Sequence, residues 1–166
     1  YKGINTLIEA ATRLESRIVI AGQGEAERLV SGPIPSNVTV QNRLITDDDA
    51  IDLFSRCGLL VLPYIEASQS ALVAAAYAFE KPVIVTRVGA LPEYVVDGDT
   101  GWVIPANDPY VLAETLQEAL DHPSKLRVMG QAGRRWYEHH RKAETETLLD
   151  MYAAVMARRS RSLPTA

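Results

Sequence analysis

The sequence predicts an α/β fold, a doubly wound parallel sheet with helices on both faces, and three observations predict it. Short apolar runs recur at Arg17 to Ala21, Leu59 to Leu62, Pro82 to Thr86 and Gly101 to Ile104, as expected of strands covered on both sides. Apolar residues at helical spacing fill the intervals between these runs, and strictly alternating strands and helices argue for a parallel sheet. The stretch from Leu59 to Val95 reads in direct succession as strand, polar loop, helix, strand and loop, with Glu66 standing alone between an apolar strand and an apolar helix.

Taken in order, Ile4, Leu7, Ile8, Ala11 and Leu14 recur at helical spacing and predict an amphipathic helix over about Gly3 to Arg13. Arg17 to Ala21 is a strand broken by Gly22 and Gly24, and Glu25 to Val30 is a short helix stopped by Gly32 and Pro33. Val38 and Val40, extended toward Leu44, give an alternating strand. Thr46 caps a helix over Asp47 to Arg56, whose acidic first turn suits the macrodipole. Pro63 ends the strand at Leu62; Ser68, Gln69 and Ser70 then offer caps for a helix from about Ala71 to Phe79, whose alanines let it lie close to a sheet. Gly89 to Glu93 forms a second loop on the edge that carries Glu66. Asp108 and Pro109 start a helix to about Leu120, and Pro123 restarts the chain into helices that fill the rest. One domain is expected over residues 1–158, with a frayed tail at 159–166. A doubly wound sheet normally begins with a strand, and this pattern opens on a helix. The expectation is a first strand missing from the middle of the sheet, leaving an exposed apolar slot that a neighbouring chain, as in a homodimer, could fill.

Composition narrows the function. Hydrophobic residues are 47% and charged residues 23% of the 166, ordinary for a globular domain, and a net charge of −4 argues against nucleic acid as a partner. Arg134, Arg135, Arg141, Lys142, Arg158, Arg159 and Arg161 make the tail locally basic; it reads as a solvated helical face, with peripheral contact to anionic lipid at the inner face of a membrane as the alternative. With no membrane-spanning run and no signal peptide, the expected location is cytoplasmic. The single Cys57 excludes an internal disulfide and reads as a structural thiol, and His122, His139 and His140 lack ligand-spaced partners, so no metal is expected.

A helix that starts where a parallel strand ends points free backbone N–H groups and partial positive charge into the crevice where open α/β sheets hold ligands. Glu66 and the turn into the following helix lie at such a place. Gly22-x-Gly24 lacks the third glycine and downstream acid of a dinucleotide fingerprint and reads by itself as a tight turn. Asp47, Asp48 and Asp49 suggest a receiver-like phosphoacceptor, but they open a helix instead of ending a strand.

Several motifs in one order carry a resemblance. They are Lys2-Gly3, Ile20-Ala21-Gly22-Gln23-Gly24, Val38-x-Val40-x-Asn42, Leu62-Pro63-Tyr64-x-Glu66, Lys81-Pro82-Val83, Gly89-x-x-Pro92-Glu93 and Gly98-x-x-Gly101 leading to Val103-Ile104-Pro105 and Asp108. Together they resemble the carboxyl-terminal, Rossmann-like lobe of glycosyltransferase family 4, enzymes of the GT-B fold. The resemblance implies a retaining hexosyltransferase whose substrate is a nucleotide-diphosphate sugar, with no cofactor or metal, and an amino-terminal acceptor lobe as the other half of the cleft. It implies that Lys2 binds the diphosphate and that Glu66, the catalytic candidate, meets the transferred sugar. Gly22, Gly24, Asn42 and Arg43 would approach the nucleotide, and the backbone of Ser70, Ala71 and Leu72 the sugar and diphosphate. The last helix would cross back to the other lobe, taking part of the stripe formed by Trp136, Tyr137, Leu148, Leu149, Tyr152 and Val155, which otherwise reads as the packing face of the tail.

The sequence departs from the family pattern at identifiable places. The second motif glutamate, which grips ribose, falls at Ala74 or Ala75. Ala71, Glu80 and Ala90 stand where small or left-handed positions are expected, and Asn42 replaces another glycine with a residue that tolerates the left-handed region. A degenerate, non-catalytic nucleotide-binding or interaction module of the same fold is therefore the alternative, and a nucleotide-sugar epimerase shares the architecture with a differently furnished cleft.

Overall fold

The computed structural model describes residues 2–24 and 32–161. The chain forms two compact units, Tyr1–Arg134 and Arg135–Ala166. In order, the elements are α1 (Ile4–Ala11), β1 (Ile18–Ala21), β2 (Val38–Gln41), α2 (Asp47–Arg56), β3 (Leu60–Leu62), α3 (Ala71–Ala78), β4 (Val83–Thr86), a 3-10 turn at Leu91–Tyr94, β5 (Gly101–Ile104), α4 (Pro109–Asp121) and α5 (Pro123–Arg161). The short helix expected at Glu25 to Val30 lies outside the described residues.

All strand pairs are parallel. β1 pairs with β2 in the register Ile18 to Val38, and β4 lies between β3 and β5 in the register Leu60 to Val83 to Gly101. The two-stranded and three-stranded sheets share no ladder among the described residues, so β1 and β3 each present an unpaired edge. Both nevertheless rest on one core, where Ile18, Ile20, Leu59 and Val61 pack against Leu7, Ala10 and Leu14 of the first helix, Ile84, Trp102, Ile104 and the apolar face of α4. All four residues of β4 are buried, as expected of a strand covered on both sides. Ile84 faces the α1 and α4 layer; Val83 and Val85 point the other way and are buried too. Each such aliphatic side chain contributes about 1.5 to 3 kcal/mol on burial.

The caps fall largely where the residue types place them. Thr46 and Asp49 form a reciprocal capping box at the start of α2, and the Asp108 carboxylate accepts from the Tyr110 and Val111 amides at the start of α4. The second strand stops at Gln41, and Leu44 is 69% exposed in the loop beyond, so the alternation ends sooner than its apolar residues suggest. Instead of several helices after Pro123, a single helix runs to Arg161, past the expected start of fraying. Gly130 and Gly133 do not break it because each provides a close approach. A Cβ on Gly130 would come within 1.9 Å of the Glu80 carbonyl oxygen, and one on Gly133 within 2.3 Å of the Tyr77 ring. In the second unit Leu148, Leu149 and Tyr152 of the stripe expected to pack the tail are exposed, whereas Trp136 and Tyr137 are half-buried and the side chain of Val155 lies outside the described residues. Among the described residues no helix is long and apolar enough to cross a membrane.

Of the residues standing where glycines are expected, Glu80 alone is left-handed, at φ 54°; Ala90 has an ordinary φ of −86° and Ala71 is helical. Asn42 is not left-handed either. The strain at Glu80 is about 1 kcal/mol, and its carboxylate, 3.6 Å from Arg134, is too exposed for that pair to offset much of it. Glu80→Gly is accordingly expected to raise stability by up to about 1 kcal/mol, read from the denaturation midpoint at an unchanged slope.

Tyr77 is fully buried, with its hydroxyl on Thr100 Oγ1 at 2.8 Å and on the Tyr94 carbonyl at 3.0 Å. Burial pushes its phenol up to about 12, with the nearby Asp99 charge adding to the rise. A phenol raised in the folded state stabilises fully below its unfolded value near 10 and loses that contribution as pH climbs through about 12. Tyr77→Phe should cost about 1 to 2 kcal/mol at neutral pH and flatten the decline between pH 10 and 12; urea titrations of both proteins across that range measure it.

Candidate functional site

The site is built where β3 ends. Pro63 and Tyr64 are buried just past Leu62, and Ile65 and Glu66 then emerge into solvent. Four contacts hold this turn. Thr86, the buried last residue of β4, donates its hydroxyl to the Tyr64 carbonyl. Gly3, left-handed at φ 67°, lies so close that a Cβ would stand 1.7 Å from the Pro63 carbonyl oxygen. Gly89, at φ 51°, lies under the following residues, where a Cβ would stand 1.9 Å from the Ala67 carbonyl oxygen, and the next amide, that of Ala90, donates to the Ser68 carbonyl at 2.9 Å.

Lys2, Tyr64, Glu66, Ala67, Ser68 and Gln69 line a cleft of about 500 Å³, a size suited to a small organic ligand. Lys2 Nζ donates to Tyr64 Oη at 2.9 Å and stands 4.0 Å from the centre of that ring. Beside the cleft α3 begins at Ala71, with Ser70 as its cap; the Ser70 hydroxyl accepts from the Leu72 amide at 3.4 Å. That long bond satisfies one of the amides expected to meet a ligand and leaves the Ala71 N–H at the exposed helix start.

Lys2 and Glu66 therefore line one cleft, and Ser70, Ala71 and Leu72 begin the helix after it. The other candidates gather elsewhere, at the ends of β1 and β2. Gly22 and Gly24 follow β1, and the Gly24 amide donates to Asn42 Oδ1 at 3.0 Å, so Asn42 ties two loops together through its side chain. Arg43 Nη2 donates to Asp49 Oδ1 at 2.7 Å, and the other arm of the guanidinium reaches the second carboxylate oxygen. This pairing and the Thr46 cap hold the Asp49 carboxyl well below the usual carboxylate range. Asp47, Asp48 and Asp49 form the first turn of α2, as a capping run does. Burial pushes the half-buried Cys57 thiol up, as befits a structural cysteine. Tyr64, Ser68 and Gln69 also line the cleft; the sequence marks Tyr64 only as a member of Leu62-Pro63-Tyr64-x-Glu66, and Ser68 and Gln69 only as candidate caps.

A single methyl at Gly89 tests how this loop is held. Gly89→Ala should cost about 1 to 3 kcal/mol and free the Ala90 amide from Ser68, read as faster hydrogen exchange at Ala90 in a protein that still melts cooperatively.

The comparisons with known proteins identify the family and the fold. The family model described as glycosyl transferases group 1 matches residues 1–122. An uncharacterized glycosyltransferase of Methanocaldococcus jannaschii is 26% identical over 138 residues, covering 81% of this chain and 39% of that protein. The O-antigen chain mannosyltransferase C of Escherichia coli is 29% identical over 170 residues, covering 96% and 45%. The chain thus spans about two fifths of the length of these curated relatives. Among solved structures, sucrose-phosphate synthase from Thermosynechococcus elongatus superposes with a TM-score of 0.80 at 22% identity, over 95% of this chain and 43% of that one. Anabaena HepE in complex with UDP-glucose does so with a TM-score of 0.70 at 18% identity, over 89% and 45%. These structures share its fold, a doubly wound α/β lobe of the GT-B kind. By the family model that covers most of its length, the chain belongs to the group 1 glycosyl transferases.

Proposed function

We propose that this chain is the donor-binding lobe of a retaining glycosyltransferase that moves a hexose from a nucleotide-diphosphate sugar to an acceptor held by a second lobe. The observation that carries the reading is the shared cleft, in which a cation, Lys2, and an acceptor-only carboxylate, Glu66, stand at the end of one strand beside a helix start. When the bond from the anomeric carbon to the diphosphate breaks, negative charge grows on the leaving phosphate and positive charge on the sugar. Lys2 and the amide end of α3 suit the first, and Glu66 suits the second while accepting hydroxyl hydrogens from the sugar. This division of charge calls for no metal. HepE, of the same fold, is solved with UDP-glucose, which supports a nucleotide sugar as ligand.

One observation favours a second reading, a degenerate module that binds without transferring. Ala74 and Ala75 occupy the positions of the second motif carboxylate, and neither side chain can accept a ribose hydroxyl. Calorimetry on the full-length protein with UDP-, GDP- and ADP-sugars, together with a transfer assay, separates the two: specific binding without transfer favours the module. In the full-length enzyme Glu66→Ala is expected to lower kcat about 100- to 1000-fold with an unchanged melting temperature, since Glu66 is exposed and makes no core contact. An unaltered rate would remove Glu66 from the site.

A further inference from the structure

Resting on that donor reading, the structure assigns a further residue to the reaction: we propose that the Tyr64 hydroxyl donates a hydrogen bond to the diphosphate of the donor, as the neutral partner of Lys2.

Tyr64 is only 4% exposed, yet it lines the cleft. Its hydroxyl oxygen accepts from Lys2 Nζ at 2.9 Å, which uses its acceptor side and turns its own hydrogen away from the ammonium. Among the described residues no acceptor takes that hydrogen, although the other buried hydroxyl-bearing side chains of this unit are engaged. Tyr77 and Thr100 hydrogen-bond each other, with the Tyr94 carbonyl taking a further bond from Tyr77, and Thr86 donates to the Tyr64 carbonyl. A buried O–H left without an acceptor is disfavoured unless a ligand or water satisfies it. The cleft is the open side of this residue, because the Pro63 side is closed by Gly3 and the backbone by Thr86.

The chemistry of the expected occupant fits. A phosphate presents several acceptor oxygens and no donor at neutral pH, so it takes both the ammonium and the phenolic hydrogen and removes the only cost of their pairing. Carbohydrate hydroxyls would be equally able to accept one bond, but they gain nothing from an adjacent cation. The ring beneath Lys2 also keeps the ammonium at the cleft by cation–π attraction, so the residue both holds the cation and adds a donor.

The test is a double-mutant cycle on the full-length protein, with UDP, GDP and ADP titrated by calorimetry. Tyr64→Phe keeps the ring and removes the hydroxyl. For the diphosphate that the wild type binds, Tyr64→Phe is expected to weaken Kd about 10-fold, and again about 10-fold in a Lys2→Met background, while the affinity for the parent nucleoside is unchanged. Loss only when Lys2 is present would overturn direct donation, as would equal loss of nucleoside and diphosphate binding or no loss at all. Replacement of Tyr64 by a fluorotyrosine, a stronger donor of nearly the same shape, should tighten diphosphate binding in a protein whose fold is undisturbed; no tightening would overturn the proposal. A wild type that binds none of the three diphosphates would overturn the donor reading itself and this inference with it.

Discussion

The constraint on which the site depends is close backbone approach at the end of β3. At Gly3 and Gly89 the chain comes so near the Pro63 and Ala67 carbonyls that only a hydrogen fits, and both glycines take left-handed conformations to do so. A loop carrying Glu66, Ser68 and Gln69 is exposed, and exposed loops are ordinarily mobile. Here the order comes from beneath. The Thr86 hydroxyl holds the Tyr64 carbonyl, the Ala90 amide holds the Ser68 carbonyl, and the glycines fill the remaining contacts, so the polar side chains are left with no structural task. A site whose positioning is done by backbone can leave its reactive groups facing solvent.

Much of this architecture was legible in the sequence because it rests on local chemistry. Pro109 after Asp108, Thr46 three residues before Asp49 and Ser70 before the alanine run mark helix starts by which side chain can accept from a free amide. The place of Glu66 follows from the side of the sheet on which loops after parallel strands fall, whereas that of Lys2 in the same cleft was implied only by the family resemblance. What was not legible depended on contacts far apart in sequence. Gly130 and Gly133 look like helix breakers until the Glu80 carbonyl and the Tyr77 ring are brought against them. Asn42 looks like a glycine substitute until its side chain is seen to bind the Gly24 amide. Tyr64 looks like one more residue of the turn after Pro63 until Lys2, sixty-two positions away, is laid over it.

Arg43 shows how electrostatics can redirect a candidate. The residue type suits a diphosphate, and it follows β2 at the strand end, the edge where open α/β sheets hold ligands. Its guanidinium instead forks onto Asp49, which also serves the amide and hydroxyl of Thr46. One carboxylate therefore caps a helix and holds a cation at once, and an anionic ligand must compete with a bidentate partner to recruit Arg43. Both groups are exposed enough for solvent to screen the pair, so the competition is not closed.

In the proposed enzyme the loss of the ribose carboxylate shifts where binding energy must come from. A lobe with alanines at positions 74 and 75 has no side-chain acceptor for a ribose there, and in the proposed reading the remaining polar groups of the cleft serve the diphosphate and the sugar. Those are the parts of the donor whose charge changes during transfer, whereas ribose contacts are the same in substrate and transition state. Weak ribose binding thus costs ground-state affinity more than rate, because only interactions that strengthen in the transition state accelerate the step. Charge–charge contacts in an open cleft are also damped by water, and they gain force once a second wall excludes it. A lobe furnished in this way depends on closure for its catalytic strength more than one that grips the whole nucleotide, and the rigid backing of the Glu66 loop is what lets closure meet groups already in place.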